Sequence, residues 1–268
     1  MAGIYLHIPF CKRRCLYCDF YSTTRDEMKH RYTAALCKEL ELRKSYIDGE
    51  PIETIYWGGG TPSQLSREDF EQVFETIHHI YKVSSDAEIT IEANPDDLND
   101  EYVSMLRTLP FNRLSMGIQT FNDESLSLLH RRHTAQQAIE AFRRCRDAGF
   151  NNISIDLMYG LPNETEQTWA NDLEQAIEMR PEHISAYHLI YEEGTPLWKL
   201  REQHRVEEAN EDLSVRLFTM LIHRLKEAGY QHYEISNFSL PGLHSRHNSS
   251  YWVGKKYLGC GASAHSFD

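Results

Sequence analysis

Apolar, β-rich runs alternate with segments of helical spacing along the whole chain. Residues 4–8 read as a first strand. Thr24-x-x-Glu27 has the form of a capping box and opens a helix with Met28, Tyr32, Leu36 and Leu40 on one face. Thr54-Ile55-Tyr56-Trp57 is a second strand. Ser66-x-x-Asp69 resembles a cap, and Phe70, Val73, Phe74, Ile77, Ile80 and Tyr81 keep helical intervals after it. A third strand over 88–93, a short helix over 100–109 and a fourth strand over 113–119 follow. Thr134-x-x-Gln137 opens a helix that stops at Gly149, a residue suited to the position after a helix end. Residues 152–159 form a fifth strand, 165–179 a helix ending before Pro181, and 183–190 a sixth strand. Leu213, Leu217, Leu221, Leu225 and Ala228 mark a further long helix closing at Gly229, and 232–238 read as one more strand.

Six strand–helix units in strict order predict a parallel sheet with right-handed crossovers. The fifth strand, Ile153-Ser154-Ile155-Asp156-Leu157-Met158, is too apolar to have one wet face. An open or partial barrel therefore fits better than a flat doubly wound sheet.

Composition narrows the function classes. The chain has 268 residues, 41% of them hydrophobic, enough for a sizeable core. Its 40 acidic and 28 basic residues give a net charge of −12. That balance lacks the basic footprint of a nucleic-acid-binding protein, so nucleic acid is not an expected partner. Met1 leads directly into strand-like Gly3-Ile4-Tyr5-Leu6-His7-Ile8, unlike a signal peptide, and no apolar run is long enough to span a bilayer. The expected compartment is the reducing cytoplasm, where clustered cysteines favour metal over disulfide.

Three of the six cysteines fall within eight residues, Cys11-Lys12-Arg13-Arg14-Cys15-Leu16-Tyr17-Cys18. This C-x3-C-x2-C run sits at the C-terminal end of the first strand, where parallel α/β folds place their chemistry. Three thiolates can hold three irons of a cubane [4Fe–4S] cluster and leave the fourth open to a small molecule. Lys12, Arg13 and Arg14 would offset cluster charge and stabilise thiolates. The competing reading is a zinc site completed by a ligand such as His7, but structural zinc sites usually supply a second pair of ligands, and none follows. Cys145 is in register with core positions, Cys37 is helical and structural, and Cys260 in Gly259-Cys260-Gly261 is a weak candidate for a ligand or reactive thiol.

C-x3-C-x2-C followed by Gly58-Gly59-Gly60-Thr61-Pro62 after strand two resembles the radical S-adenosylmethionine (SAM) superfamily over nearly the whole chain. The resemblance implies an α/β fold, the partial (β/α)6, TIM-like barrel of that superfamily. It also implies a [4Fe–4S] cluster on Cys11, Cys15 and Cys18, with SAM chelating the open iron and cleaved to a 5′-deoxyadenosyl radical. Glu92 ends strand three, Gln119 ends strand four and Asp156 interrupts strand five. Buried polar groups cost free energy unless paired. Three of them near successive strand ends favour a shared ligand over isolated core pairing. By resemblance they contact SAM, as do Tyr5, Gly59, Gly60 and Thr61. Arg131 matches a carboxylate-gripping arginine, with Arg132 as its neighbour and competitor.

Tyr5-x-His7-Ile8-Pro9-Phe10-Cys11, Ile91-Glu92-Ala93-Asn94-Pro95 and Asp156-Leu157-Met158-Tyr159-Gly160-Leu161-Pro162 resemble the group that contains the oxygen-independent coproporphyrinogen III oxidases and the radical SAM haem chaperones. Phe20 stands where the oxidase pattern has a fourth cysteine, and no oxidase-like extension precedes the first strand. His247-Asn248-Ser249-Ser250-Tyr251-Trp252 matches the chaperones' H-N-x-x-Y-W motif, which makes His247 a candidate haem ligand. The resemblance implies haem as cargo, a haem-acceptor protein and an electron donor as partners, and is compatible with a homodimer and a peripheral membrane contact. Porphyrinogen decarboxylation is the alternative activity, and chemistry on RNA a third that the acidic balance disfavours. Residues 1–230 are expected to form the core and 231–268 the start of a C-terminal region that such proteins continue beyond Ala262.

Overall fold

A computed structural model describes residues 2–268. In chain order the elements are β1 (Ala2–Ile8), α1 (Lys29–Leu42), β2 (Ile52–Gly59), α2 (Arg67–Ile80), β3 (Val83–Ala93), α3 (Asp100–Arg107), β4 (Arg113–Gln119), α4 (Asp123–Leu128), α5 (Ala135–Asp147), β5 (Ile153–Tyr159), α6 (Glu166–Met179), β6 (His183–His188), α7 (Pro196–Glu202), α8 (Glu211–Glu227), β7 (Gln231–His232), β8 (Asn237–Ser239), α9 (Arg246–Trp252) and β9 (Tyr257–Cys260). They form one sheet in the order β7-β8-β6-β5-β4-β3-β2-β1-β9. Every pairing from β6 to β9 is parallel, whereas β8 runs antiparallel to β6. Residues of β2 to β6, with the loop that follows β1, line one common cavity. Six strands side by side would span roughly 24 Å if flat, so the sheet is curled into the partial barrel that the sequence predicts. Among the described residues no helix is long and apolar enough to cross a membrane.

Local chemistry explains most element starts. Ser66 Oγ accepts from Asp69 N and the Asp69 carboxylate accepts from Ser66 N, closing a reciprocal cap on α2. The helix buries Phe70, Val73, Phe74 and Ile77, with Phe70 5.2 Å from Trp57 and 5.3 Å from Phe111, centroid to centroid. Truncating such a buried ring costs about 3–5 kcal/mol. Thr134 and Gln137 cap α5 in the same manner.

The expected Thr24 box does not form. Thr23 N donates to Pro9 O (2.7 Å) and Cys11 N donates to Thr23 O (2.9 Å). This extended pairing delays the helix until after a 3-10 turn (Asp26–Met28), leaves Met28 exposed, and starts α1 without a side-chain cap. The strand expected over 232–238 is instead a short antiparallel pair, β7 and β8, folded back through a turn in which Asn237 N donates to Glu234 O. Three short helices and β9 carried too little periodicity to be read from sequence; Asn122, Thr195 and Ser245 cap the helices α4, α7 and α9.

Alternation within the strands divides the sheet into two faces. Leu114, Met116, Ile153, Ile155, Leu157, Ile184 and Ala186 join the apolar core. Arg113, Ser115, Asp156, Ser185 and Tyr187 line the cavity. The inner face is thus polar and enclosed, where the sequence reading made the central strands apolar on both sides. Cys145 and Cys37 are buried as expected. Cys260 is fully buried on β9, and burial pushes its thiol up to about 12; it is a core residue and not a reactive one.

Candidate functional site

The cysteine loop is held from both sides. Cys11 lies three residues after the end of β1 and is tied through its N–H to Thr23 O. Leu16 N donates to Leu129 O at 3.2 Å, and Leu197 N donates to Leu16 O at 3.0 Å. Leu16 and Tyr17 pack against a small second core of Leu129, Met158, Leu161, Leu189, Tyr191, Leu197 and Val206. The loop after β1 is thereby fixed to the segment after β6, across the open side of the barrel.

Cys11, Cys15 and Cys18 all line a cavity of about 530 Å³ at the C-terminal ends of the strands. Cys11 Sγ lies 3.4 Å from Thr61 Oγ1, and Arg131 Nη1 donates to Cys15 Sγ at 3.5 Å. Burial raises the Cys11 and Cys18 thiols above their ordinary value. Metal binding there must displace protons. Among the described residues no three His, Cys, Asp or Glu side chains are gathered closely enough to share one ion. A cubane asks for a different arrangement, with each thiolate on a separate iron. Three sulfurs on one wall, with Arg13, Arg14 and Arg131 on the same wall to offset charge, fit that group. The expected zinc alternative loses its fourth ligand, because His7 Nε2 is bonded to Tyr21 O (2.9 Å) and Nδ1 to Tyr5 OH (3.2 Å).

The remaining expected residues divide. Gly59, Gly60, Thr61, Glu92, Gln119, Arg131 and Asp156 share the cavity wall with the cysteines. Gly60 is required by space, since a Cβ would come within 2.7 Å of the Pro9 backbone. Gly59 has φ +112°, a conformation that side chains disfavour. Gln119 sits at an irregularity between β4 and β5, with φ +73°, which turns it into the cavity. Arg131 donates to Asn94 Oδ1 (2.6 Å) and Gly117 O (2.5 Å). Arg132 turns away to Asp96 and Asp97, so Arg131 alone of the pair reaches the cavity. Tyr56 OH donates to Glu92 Oε1 at 2.8 Å, and Ser115 Oγ donates to Asp156 Oδ1 at 3.2 Å. Burial, with repulsion from Asp156, pushes the Glu92 carboxyl up to about 7; burial pushes Asp156 up to about 6.

Tyr5 and His247 lie elsewhere. Tyr5 is absent from the cavity wall and forms a cluster of three rings with Tyr56 and His247, at 6.2 and 6.5 Å, those two being 5.0 Å apart. His247 is 1% exposed. Its Nδ1 is bonded to Thr54 Oγ1 and its Nε2 to Tyr251 OH, both at 2.8 Å, and burial lowers its pKa to about 3. Both ring nitrogens are therefore hydrogen-bonded in this arrangement.

Sequence reading passed over Tyr56, Asn94, Arg113, Ser115, Ser185 and Tyr187, all on the cavity wall. The signal was present in the two-residue alternation Arg113-x-Ser115 and Ser185-x-Tyr187, in phase with Asp156 across the sheet. Arg113 is 1% exposed with Nε unpaired, and its charge lies near both Glu92 and Asp156.

The family model of the Radical SAM superfamily matches residues 5–176, which carry the three cysteines, the glycine loop, Glu92, Gln119, Arg131 and Asp156. The chain belongs to the radical SAM superfamily. Membership brings a [4Fe–4S] cluster and SAM as cofactors. Within the superfamily the chain is 37% identical over 270 aligned residues to the haem chaperone HemW of Bacillus subtilis strain 168, covering 100% of this chain and 71% of that protein. It is 36% identical to the haem chaperone HemW of Escherichia coli K12, covering 98% of this chain and 69% of that one. Among solved structures, coproporphyrinogen III oxidase (HemN) of Escherichia coli, a radical SAM enzyme, superposes with TM-score 0.85 at 26% identity, over 99% of this chain and 64% of the enzyme.

Proposed function

We propose that this chain is a radical SAM haem chaperone that binds haem and delivers it to acceptor proteins. The observation that carries the reading is its likeness, over 98–100% of this chain and 69–71% of those proteins, to the haem chaperones of Bacillus subtilis and Escherichia coli. Phe20, in the place of the oxidase pattern's fourth cysteine, supports it. Cys11, Cys15 and Cys18 hold the cluster, which when bound supplies an electron to the sulfonium of SAM. An electron donor protein is therefore a partner.

The side chains around the cluster bind and orient. Arg131, anchored by Asn94 and the Gly117 carbonyl, offers its guanidinium to the SAM carboxylate. The Gly59–Gly60 backbone admits the methionine end closely. Glu92, Gln119 and Asp156 supply acceptors and donors to the amino group and ribose hydroxyls. Leu16 and Tyr17, packed on the small second core, would help exclude water from a cluster held by the three cysteines.

Haem titration of the cluster-loaded chain tests the proposal, followed by transfer to a haem-free acceptor haemoprotein. Binding and transfer are expected, with no protoporphyrinogen formed from coproporphyrinogen III, SAM and reductant. The close superposition on the oxidase favours porphyrinogen decarboxylation as the second reading; formation of that product without haem transfer would establish it instead.

A further inference from the structure

The mouth of the cavity carries three large exposed side chains that neither cluster nor SAM needs, beside two arginines that also offset cluster charge. Phe20 is 69% exposed, Ile190 64% and Tyr187 43%, and all three stand on the cavity wall. Phe20 comes from the loop after β1, Tyr187 and Ile190 from the end of β6 and the segment beyond it. Arg13 and Arg14 are exposed on the same wall. Neither makes a hydrogen bond or ion pair among the described residues, whereas Lys12 is paired with Asp97 and Arg131 is occupied deeper, at Cys15. Exposed apolar side chains of this size, set together at a cavity mouth, mark a binding surface.

Asp19 and Glu192 share this rim, so it does not attract anions in general. It suits a ligand that brings a flat apolar face and carboxylates together. Haem has that form, an apolar macrocycle with two propionates on one edge. Arginine pairs with carboxylates through charge-assisted hydrogen bonds, and aromatic rings pack on flat π-systems. His247, the other candidate for haem contact, is buried with both ring nitrogens bonded.

Resting on the haem-carrier reading, we propose that haem lies over the cavity mouth, its macrocycle on Phe20, Tyr187 and Ile190 and its propionates on Arg13 and Arg14. The full chain, loaded with cluster, is titrated with haem and with haem dimethyl ester, whose propionates are uncharged. Iron content is read in every sample, and affinities are compared at equal loading. Arg13→Gln/Arg14→Gln is expected to weaken haem roughly tenfold and to leave the ester unchanged. Ile190→Asp, remote in sequence from the cysteines, is expected to weaken both ligands. Equal haem and ester affinities in the unaltered chain, with neither variant differing from it, would overturn the proposal while leaving the carrier reading intact. Failure of the unaltered chain to bind haem at all would overturn both.

Discussion

Glu92 and Asp156 keep their protons to a higher pH than they would in water. Both lie at the cavity wall with carboxyls raised chiefly by burial. For Glu92 the folded value is about 7 against an ordinary 4.5. The fold therefore favours the protonated form. Its relative stabilisation is fully present below about 4.5 and is lost as pH rises through about 7. In the cluster-free chain Glu92→Gln should remove this loss, so that the variant gains on the unaltered protein by up to about 3 kcal/mol between pH 5 and pH 8. Denaturant midpoints at the two pH values check it, and a constant difference would refute it. Arg131 bridges Asn94, the Gly117 carbonyl and Cys15. Arg131→Lys keeps the charge and loses the fork, and should weaken SAM by tenfold or more in calorimetric titration. The cysteines, Glu92 and Asp156 stand out in the sequence because each breaks its local pattern, and Arg131 through the resemblance alone; the structure brings all of them to one cavity. Arg113 and Ser185 were passed over, because polar residues alternating along a strand look like solvent exposure until the curl of the sheet encloses them. For His247 the motif shows which residue types stand together, and the structure adds the hydrogen bonds that its ring makes to Thr54 and Tyr251.

At the scale of elements, the cysteine loop depends on its two clamps. Leu197 is fully buried in the small core and its N–H holds Leu16. Leu197→Ala should cost about 2–4 kcal/mol and lower iron retention more than an equally costly change in the main core, such as Leu221→Ala. Iron analysis after gel filtration compares the two; equal retention would show that the clamp does not steady the loop. Gly60→Ala meets the Pro9 backbone, and backbone cannot swing aside as a side chain can. It should reduce both cluster loading and thermal stability. The six strands and the long helices were legible because their periodicity runs over many residues and reciprocal caps mark α2 and α5. The start of α1 was not, since Thr23 exchanges a helix cap for pairing with Pro9 and Cys11, a contact between segments that no local pattern encodes.

Over the whole molecule, one sheet joins everything described. Residues 1–230 carry the six strand–helix units, and we treat 231–268 as a C-terminal region built onto them. That region adds β8 to one edge and β9 to the other, with Gly3 to Leu6 paired in register with Tyr257 to Cys260. β9 thus shields β1, the strand that delivers Cys11. The partial barrel was legible from unit count and order, while the closing of both edges was not, because a four-residue strand has no period to read. A polar inner face, an apolar outer face and a net charge of −12 describe a cofactor-bearing core. All of this depends on an iron cluster with one open corner. The most direct test is the electron paramagnetic resonance spectrum of the anaerobically reconstituted, reduced chain with and without SAM. The account predicts about four irons per chain, a reduced-cluster signal that SAM alters, and loss of that signal in Cys11→Ala, Cys15→Ala and Cys18→Ala. A chain that takes up only zinc, or a cluster signal indifferent to SAM, would contradict it.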